Sequence, residues 1–97
     1  MRANSIVRHS WRFYSTLLLD NVVFIYDDAF SCCQCLKSVQ ISKSVTYIGE
    51  EAFAFCHELE SITIQDSVTY IGSFAFCNCV GLTDVVIPAP SPKLGIL

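Results

Sequence analysis

The string Ser-Val-Thr-Tyr-Ile-Gly occurs at 44–49 and again at 67–72, and the offset of 23 residues persists through the sequence that follows. Cutting the chain at that interval gives units 21–43, 44–66 and 67–89, and the second and third are identical at 11 of 23 positions. Seven columns are the same in all three units: Val22/Val45/Val68, Ile25/Ile48/Ile71, Ala29/Ala52/Ala75, Phe30/Phe53/Phe76, Cys33/Cys56/Cys79, Leu36/Leu59/Leu82 and Ile41/Ile64/Ile87. All seven are apolar. An eighth, Val39/Ile62/Val85, is always β-branched. Repetition confined to apolar positions means that inward packing, not surface chemistry, sets the period. Such units cannot bury their apolar faces alone and must stack on one another, with three units a practical minimum.

Within a unit, Leu59, Ile62 and Ile64 fit the alternation of a short strand with one face buried. Val45 to Ile48 is a second extended piece, ending at Gly49, where positive φ would let the chain turn. Acids follow that corner, Glu50 and Glu51 in one unit and Asp27 and Asp28 in the unit before, and they favour the N-terminal end of a short helix closing near Phe53 to Cys56. The expected fold is an α/β repeat solenoid of strand, corner and helical turn. A further step of 23 residues toward the amino end aligns Ile6-Val7 with Ala-Phe, Ser10 with Cys, Phe13 with Leu, Thr16 with the β-branched column and Leu18 with Ile. Residues 1–20 therefore read as a degenerate first repeat or an N-terminal arm, and 90–97 as a C-terminal tail.

The unit A-F-x-x-C-x-x-L-x-x-[IV]-x-I followed by S-V-T-x-I-G, carried by Ala52, Phe53, Cys56, Leu59, Ile62, Ile64, Ser67, Val68, Thr69, Ile71 and Gly72, resembles the BspA-type leucine-rich repeat. The resemblance implies a right-handed superhelix with short parallel strands on its concave side. It also implies adhesion or protein binding, often at the surfaces of bacteria or parasitic protists. Tyr26 departs from the pattern where Gly49 and Gly72 stand, which bears on the first corner. Family members usually carry more units with protected ends, so a fragment or decayed copy is an open reading of this chain.

Hydrophobic residues make up 53% of the chain and charged residues 15%, which excludes disorder. Arg2, Arg8 and Arg12 precede every acid, whereas residues 20–84 carry nine acids against Lys37 and Lys43. No basic stripe exists for nucleic acid. No apolar run reaches the roughly 20 residues of a membrane span. The Arg- and Ser-rich start has transit-peptide composition but no clear secretory signal, leaving cytoplasm and cell surface both open.

The outward positions of the concave strands are Lys37/Glu60/Thr83, Ser38/Ser61/Asp84 and Gln40/Thr63/Val86. They are the expected contact surface for a protein or glycan, because repeat proteins bind there. Cys33-Gln34-Cys35 and Cys77-Asn78-Cys79 lack zinc-knuckle spacing, and Cys33, Cys56 and Cys79 read as a buried thiol ladder. No metal or cofactor is expected. His57 beside Glu58 has no nucleophile fixed near it, and His9 offers no better case for catalysis. Phe24, Tyr47 and Tyr70 form an aromatic column consistent with stacking along the solenoid, and Phe74 places a ring where the other units have acids. The reading is a non-catalytic binding or adhesion module; the alternative is an array segment that self-associates end to end.

Overall fold

The computed structural model describes residues 15–87 and 93–94. Its strands are β1 (Thr16–Leu19), β2 (Phe24–Ile25), β3 (Ser38–Ile41), β4 (Tyr47–Ile48), β5 (Ser61–Thr63), β6 (Tyr70–Ile71), β7 (Asp84–Val86) and β8 (Lys93–Leu94). Odd-numbered strands form one parallel sheet, in the order β1-β3-β5-β7, and even-numbered strands form another, β2-β4-β6-β8. The chain visits the two sheets alternately, so it winds as a parallel β-solenoid of about three turns. The second extended piece of each unit is thus a strand of a second sheet, paired coil upon coil.

The repeating apolar columns fill the space between the sides. Val22, Val45 and Val68, Ile25, Ile48 and Ile71, and Leu36 and Leu59 are all buried, with Leu17, Leu19, Val39, Ile41, Ile62 and Ile64 from the first sheet. The rings of Phe30, Phe53 and Phe76 stack in series, with centroids 5.3 and 5.5 Å apart. Near-parallel rings at that spacing match the rise between hydrogen-bonded strands closely enough to continue the ladder through the core. No polar or charged residue is buried among the described residues.

Helical turns are absent from the described residues, and the backbone explains why. Asp28, Glu51 and Phe74 have φ of 60°, 55° and 59°, and four residues later Cys32, Phe55 and Asn78 have φ of 61°, 62° and 58°. Two left-handed residues per unit interrupt the continuous right-handed geometry that an α-helix needs. The amide donors are instead committed between coils: Asp28 N–H to Glu50 O, Phe30 N–H to Ala52 O and Cys32 N–H to Ala54 O, repeated one coil on by Glu51 to Ser73, Phe53 to Ala75 and Phe55 to Cys77. A third hydrogen-bonded side, built of turns, closes each coil. The acids at this corner therefore do not begin a helix.

The glycine corner also works differently from the expectation. Neither Gly49 nor Gly72 has positive φ. Each is pressed against the preceding coil instead: a Cβ on Gly49 would stand 2.6 Å from Asp27 N, and one on Gly72 2.6 Å from Glu50 N. Close approach of backbones, not conformational freedom, demands glycine there. Tyr26 at the same column closes the same turn, since Ala29 N–H donates to Tyr26 O as Ala52 and Ala75 donate to Gly49 and Gly72. The first corner is not distorted.

The register of β1 corrects the fixed 23-residue alignment. Thr16 pairs with Ser38, Leu17 with Val39 and Leu19 with Ile41, an offset of 22, whereas Ser38 pairs with Ser61 at 23. Leu17 takes the β-branched column and Leu19 the isoleucine column, displacing Thr16 and Leu18 from the places the repeat had assigned them. A slip of one residue exchanges the faces of a strand. The missing residue is lost between β1 and β2, where Asn21 adopts φ of 62° and tightens the corner. Asparagine tolerates that conformation better than most side chains. Ile6, Val7, Ser10 and Phe13 lie outside the described residues, as does all of 90–97 except the strand 93–94.

Candidate binding surface

The nine residues expected to form a contact surface come together on the outer side of the first sheet. Ser38, Ser61 and Asp84 are direct partners along β3, β5 and β7, as are Gln40, Thr63 and Val86. Lys37, Glu60 and Thr83 flank them one residue earlier, tied by Glu60 N–H to Lys37 O and Thr83 N–H to Glu60 O at 3.0 and 3.1 Å. All are exposed except the half-buried Ser38. In β3 and β5 alternation puts Ser38, Gln40, Ser61 and Thr63 outward because their neighbours Val39, Ile41, Ile62 and Ile64 are drawn inward, whereas all three residues of β7 are exposed. The Thr16 and Ser38 hydroxyls meet at 3.2 Å, which extends the hydroxyl column by one coil. Ser38, Gln40, Ser61, Thr63 and Gln65, with Val39, Ile41 and Ile62, line a depression of about 290 Å³. The surface offers short hydroxyl and amide groups on a rigid hydrogen-bonded backbone, with one cation, Lys37, and two acids, Glu60 and Asp84.

The second sheet carries a different surface. Its outward column is Phe24, Tyr47 and Tyr70, in register along β2, β4 and β6. Tyr47 and Tyr70 stack at 5.1 Å, while Phe24 meets Tyr47 edge-on at 6.2 Å. Tyr26, which the repeat pattern did not single out as a contact residue, lies against Phe24 with centroids 6.2 Å apart. Asp27 comes next, its Oδ1 accepting the Glu50 N–H at 2.8 Å. Desolvation, then the negative charge of Asp27, raises the Tyr47 phenol above its ordinary value, with Tyr70 and Glu50 acting in the same sense.

The thiols divide by position. Cys33, Cys56 and Cys79 are buried, with Cys56 Sγ donating to Phe30 O at 3.2 Å and Cys79 Sγ to Phe53 O at 3.0 Å. Cys32 and Cys35 are exposed and Cys77 is half-buried, so the two thiols of each Cys-x-Cys pair do not converge. No cluster of His, Cys, Asp and Glu able to hold a metal ion occurs among the described residues. His57 is exposed with its ring edge-on to Phe55 at 6.5 Å, and His9 lies outside the described residues. No described helix is long and apolar enough to cross a membrane.

A family model, the BspA type Leucine rich repeat region, matches residues 9–95 in six copies. The chain belongs to the BspA-type leucine-rich repeat family. Among solved structures, a leucine rich cell surface protein from Faecalibacterium prausnitzii is similar at 25% identity and a TM-score of 0.37. The match covers 75% of this chain and 32% of that one, so the BspA-type array described here spans about a third of that protein. No curated protein matches the chain.

Proposed function

We propose that this BspA-type array is a non-catalytic binding module of the adhesion kind, contacting a protein or glycan through the outer face of its first sheet. The observation that carries the reading is the register of Ser38/Ser61/Asp84 and Gln40/Thr63/Val86, which sets outward side chains, polar except for Val86, in columns on a backbone fixed by inter-coil hydrogen bonds. Preorganised columns lower the ordering cost that binding must overcome. In this reading the first sheet is the concave side of a right-handed superhelix, the hand that parallel crossovers adopt. Screening the chain on arrays of immobilised oligosaccharides and peptides, beside a Lys37→Ala/Gln40→Ala/Glu60→Ala/Thr63→Ala variant, tests it. Signals lost in the variant, with its circular dichroism unchanged, support the surface; signals retained in full remove it.

A second reading, end-to-end self-association, is favoured by the third described coil. Val85 and Ile87 are 43% and 41% exposed, whereas their counterparts Val39, Ile62, Ile41 and Ile64 are buried. Sedimentation across a range of concentrations distinguishes the two readings, because a persistent monomer is incompatible with the second.

A further inference from the structure

The second sheet carries a recess distinct from the columns of the first. Phe24, Tyr26, Asp27 and Tyr47 border a wide-open recess of about 500 Å³. Two of its walls are aromatic rings left 46% and 54% exposed, those of Phe24 and Tyr26, and they lie within 27° of parallel. Exposed rings normally gain by burial, so this pair is costly to leave in water unless something covers it. The third wall is a carboxylate held in place: one oxygen of Asp27 accepts the Glu50 amide, and a carboxylate has further acceptor sites beyond that one. Glu50 occupies the same column one coil on, and in the third coil the column holds Ser73, so negative charge is concentrated at the Phe24 and Tyr26 end.

We propose that this recess receives an arginine side chain from a basic segment of a partner protein. A guanidinium is planar, stacks on aromatic faces and donates in a fork that fits a carboxylate, so the rings and Asp27 would each meet a different part of the same group. The chain as a whole is acidic, with nine acids against six lysines and arginines, which also favours a basic partner at longer range. Such a field accelerates encounter with a basic partner and weakens as salt rises.

The experiment follows ring proton signals of Tyr26, Tyr47 and Phe24 by NMR in the full chain during titration with acetyl-Gly-Ser-Arg-Ser-Gly-amide. The same peptide with citrulline, which keeps the shape and removes the charge, is the control. Expected are shifts confined to these rings and a binding constant that falls with salt. Asp27→Asn should weaken it about threefold to fivefold, the effect of one surface ion pair. Asn retains an oxygen to accept the Glu50 amide, so this variant is expected to keep its fold, and circular dichroism verifies that. Phe24→Ala should weaken binding as well, whereas Tyr70→Phe, which keeps a ring outside the recess, should leave it unchanged. Equal binding of the citrulline peptide overturns the proposal, as does an Asp27→Asn variant that binds normally, or an oligosaccharide that shifts these rings when the arginine peptide does not.

Discussion

A Cβ placed on Gly72 would stand 2.6 Å from the backbone nitrogen of Glu50, one coil below it, and 2.7 Å from the carbonyl carbon of Gly49. The obstacle is backbone on both counts, and backbone in a hydrogen-bonded coil has little room to move. Gly72→Ala is therefore expected to destabilise the array by about 1–3 kcal/mol, the usual range for overpacking. Gly49→Ala should do the same against Asp27 N and Tyr26. Urea midpoints measured with an unchanged slope would show it, and a midpoint shift below a few tenths of a kcal/mol would mean that the coils can spread at this corner.

Glu51 carries its side chain at φ of 55°, a conformation in which Cβ crowds the following carbonyl. Relief of that crowding is worth about 1–2 kcal/mol, and glycine's greater freedom when unfolded takes back about 0.5–1. Glu51→Gly should thus raise stability by on the order of 0.5–1 kcal/mol. Glu50→Gly, one position earlier at ordinary φ, should lower it. Thermal melts of the two variants provide the comparison, and a loss in both would contradict the left-handed assignment at 51.

Ser44 and Ser67 share a column but not an environment. The Ser44 hydroxyl meets that of Ser42 at 2.7 Å, while Gln65 stands where Ser42 would be one coil on and the Ser67 hydroxyl is buried without a partner. Removing an unsatisfied hydroxyl costs little or stabilises, whereas removing one member of a pair costs about 0.5–1.5 kcal/mol. Ser67→Ala should therefore be neutral or stabilising and Ser44→Ala destabilising. Identical effects from the two substitutions in denaturant melts would show that the pairing has no energetic consequence.

The apolar columns were legible because burial acts on the same residue in every coil, and one offset then aligned both the core and the nine outward positions. What defeated the offset was local. Asn21 shortens one corner, which moved Leu17 and Leu19 into places assigned to Thr16 and Leu18. Asp28 and Glu51 read as acids at a helix start because a sequence does not display φ, and their left-handed backbone instead sends the amide donors to the next coil. Gly49 and Gly72 were recognised as corner residues for the wrong reason, since the space they must leave is taken by another coil. Tyr26 and Asp27 carry no pairing signal in the sequence, because only the fold sets them beside Phe24 and Tyr47. Periodicity finds what repeats, and this recess does not repeat.

The buried thiols give the array an alkaline limit. The side-chain hydrogen bond shared with Cys79, and then burial, raise the Cys56 thiol well above its ordinary value, while the same hydrogen bond lowers the Cys79 thiol, so the two titrate as one pair that holds its last proton on Cys56. A folded-state pKa above the unfolded one means that the fold holds the proton more tightly. The contribution is complete below the unfolded value of about 8.5 and is lost progressively as pH rises above it toward the folded value. Above the unfolded value the unfolded chain gives up both thiol protons while the folded pair keeps the one on Cys56, so unfolding free energy should fall from about pH 8.5 to pH 10, by no more than about 1.4 kcal/mol per pH unit from this pair. The double variant Cys56→Ala/Cys79→Ala should flatten the slope relative to the native chain, which separates the thiol pair from lysines and tyrosines titrating in the same range. Iodoacetamide at pH 8 gives a second reading, because a buried protonated thiol is a poor nucleophile: Cys32 and Cys35, exposed on the turns, should be alkylated well before Cys56. Equal rates at Cys35 and Cys56 in the folded chain, or an unaltered slope in Cys56→Ala/Cys79→Ala, would leave the ladder as packing alone.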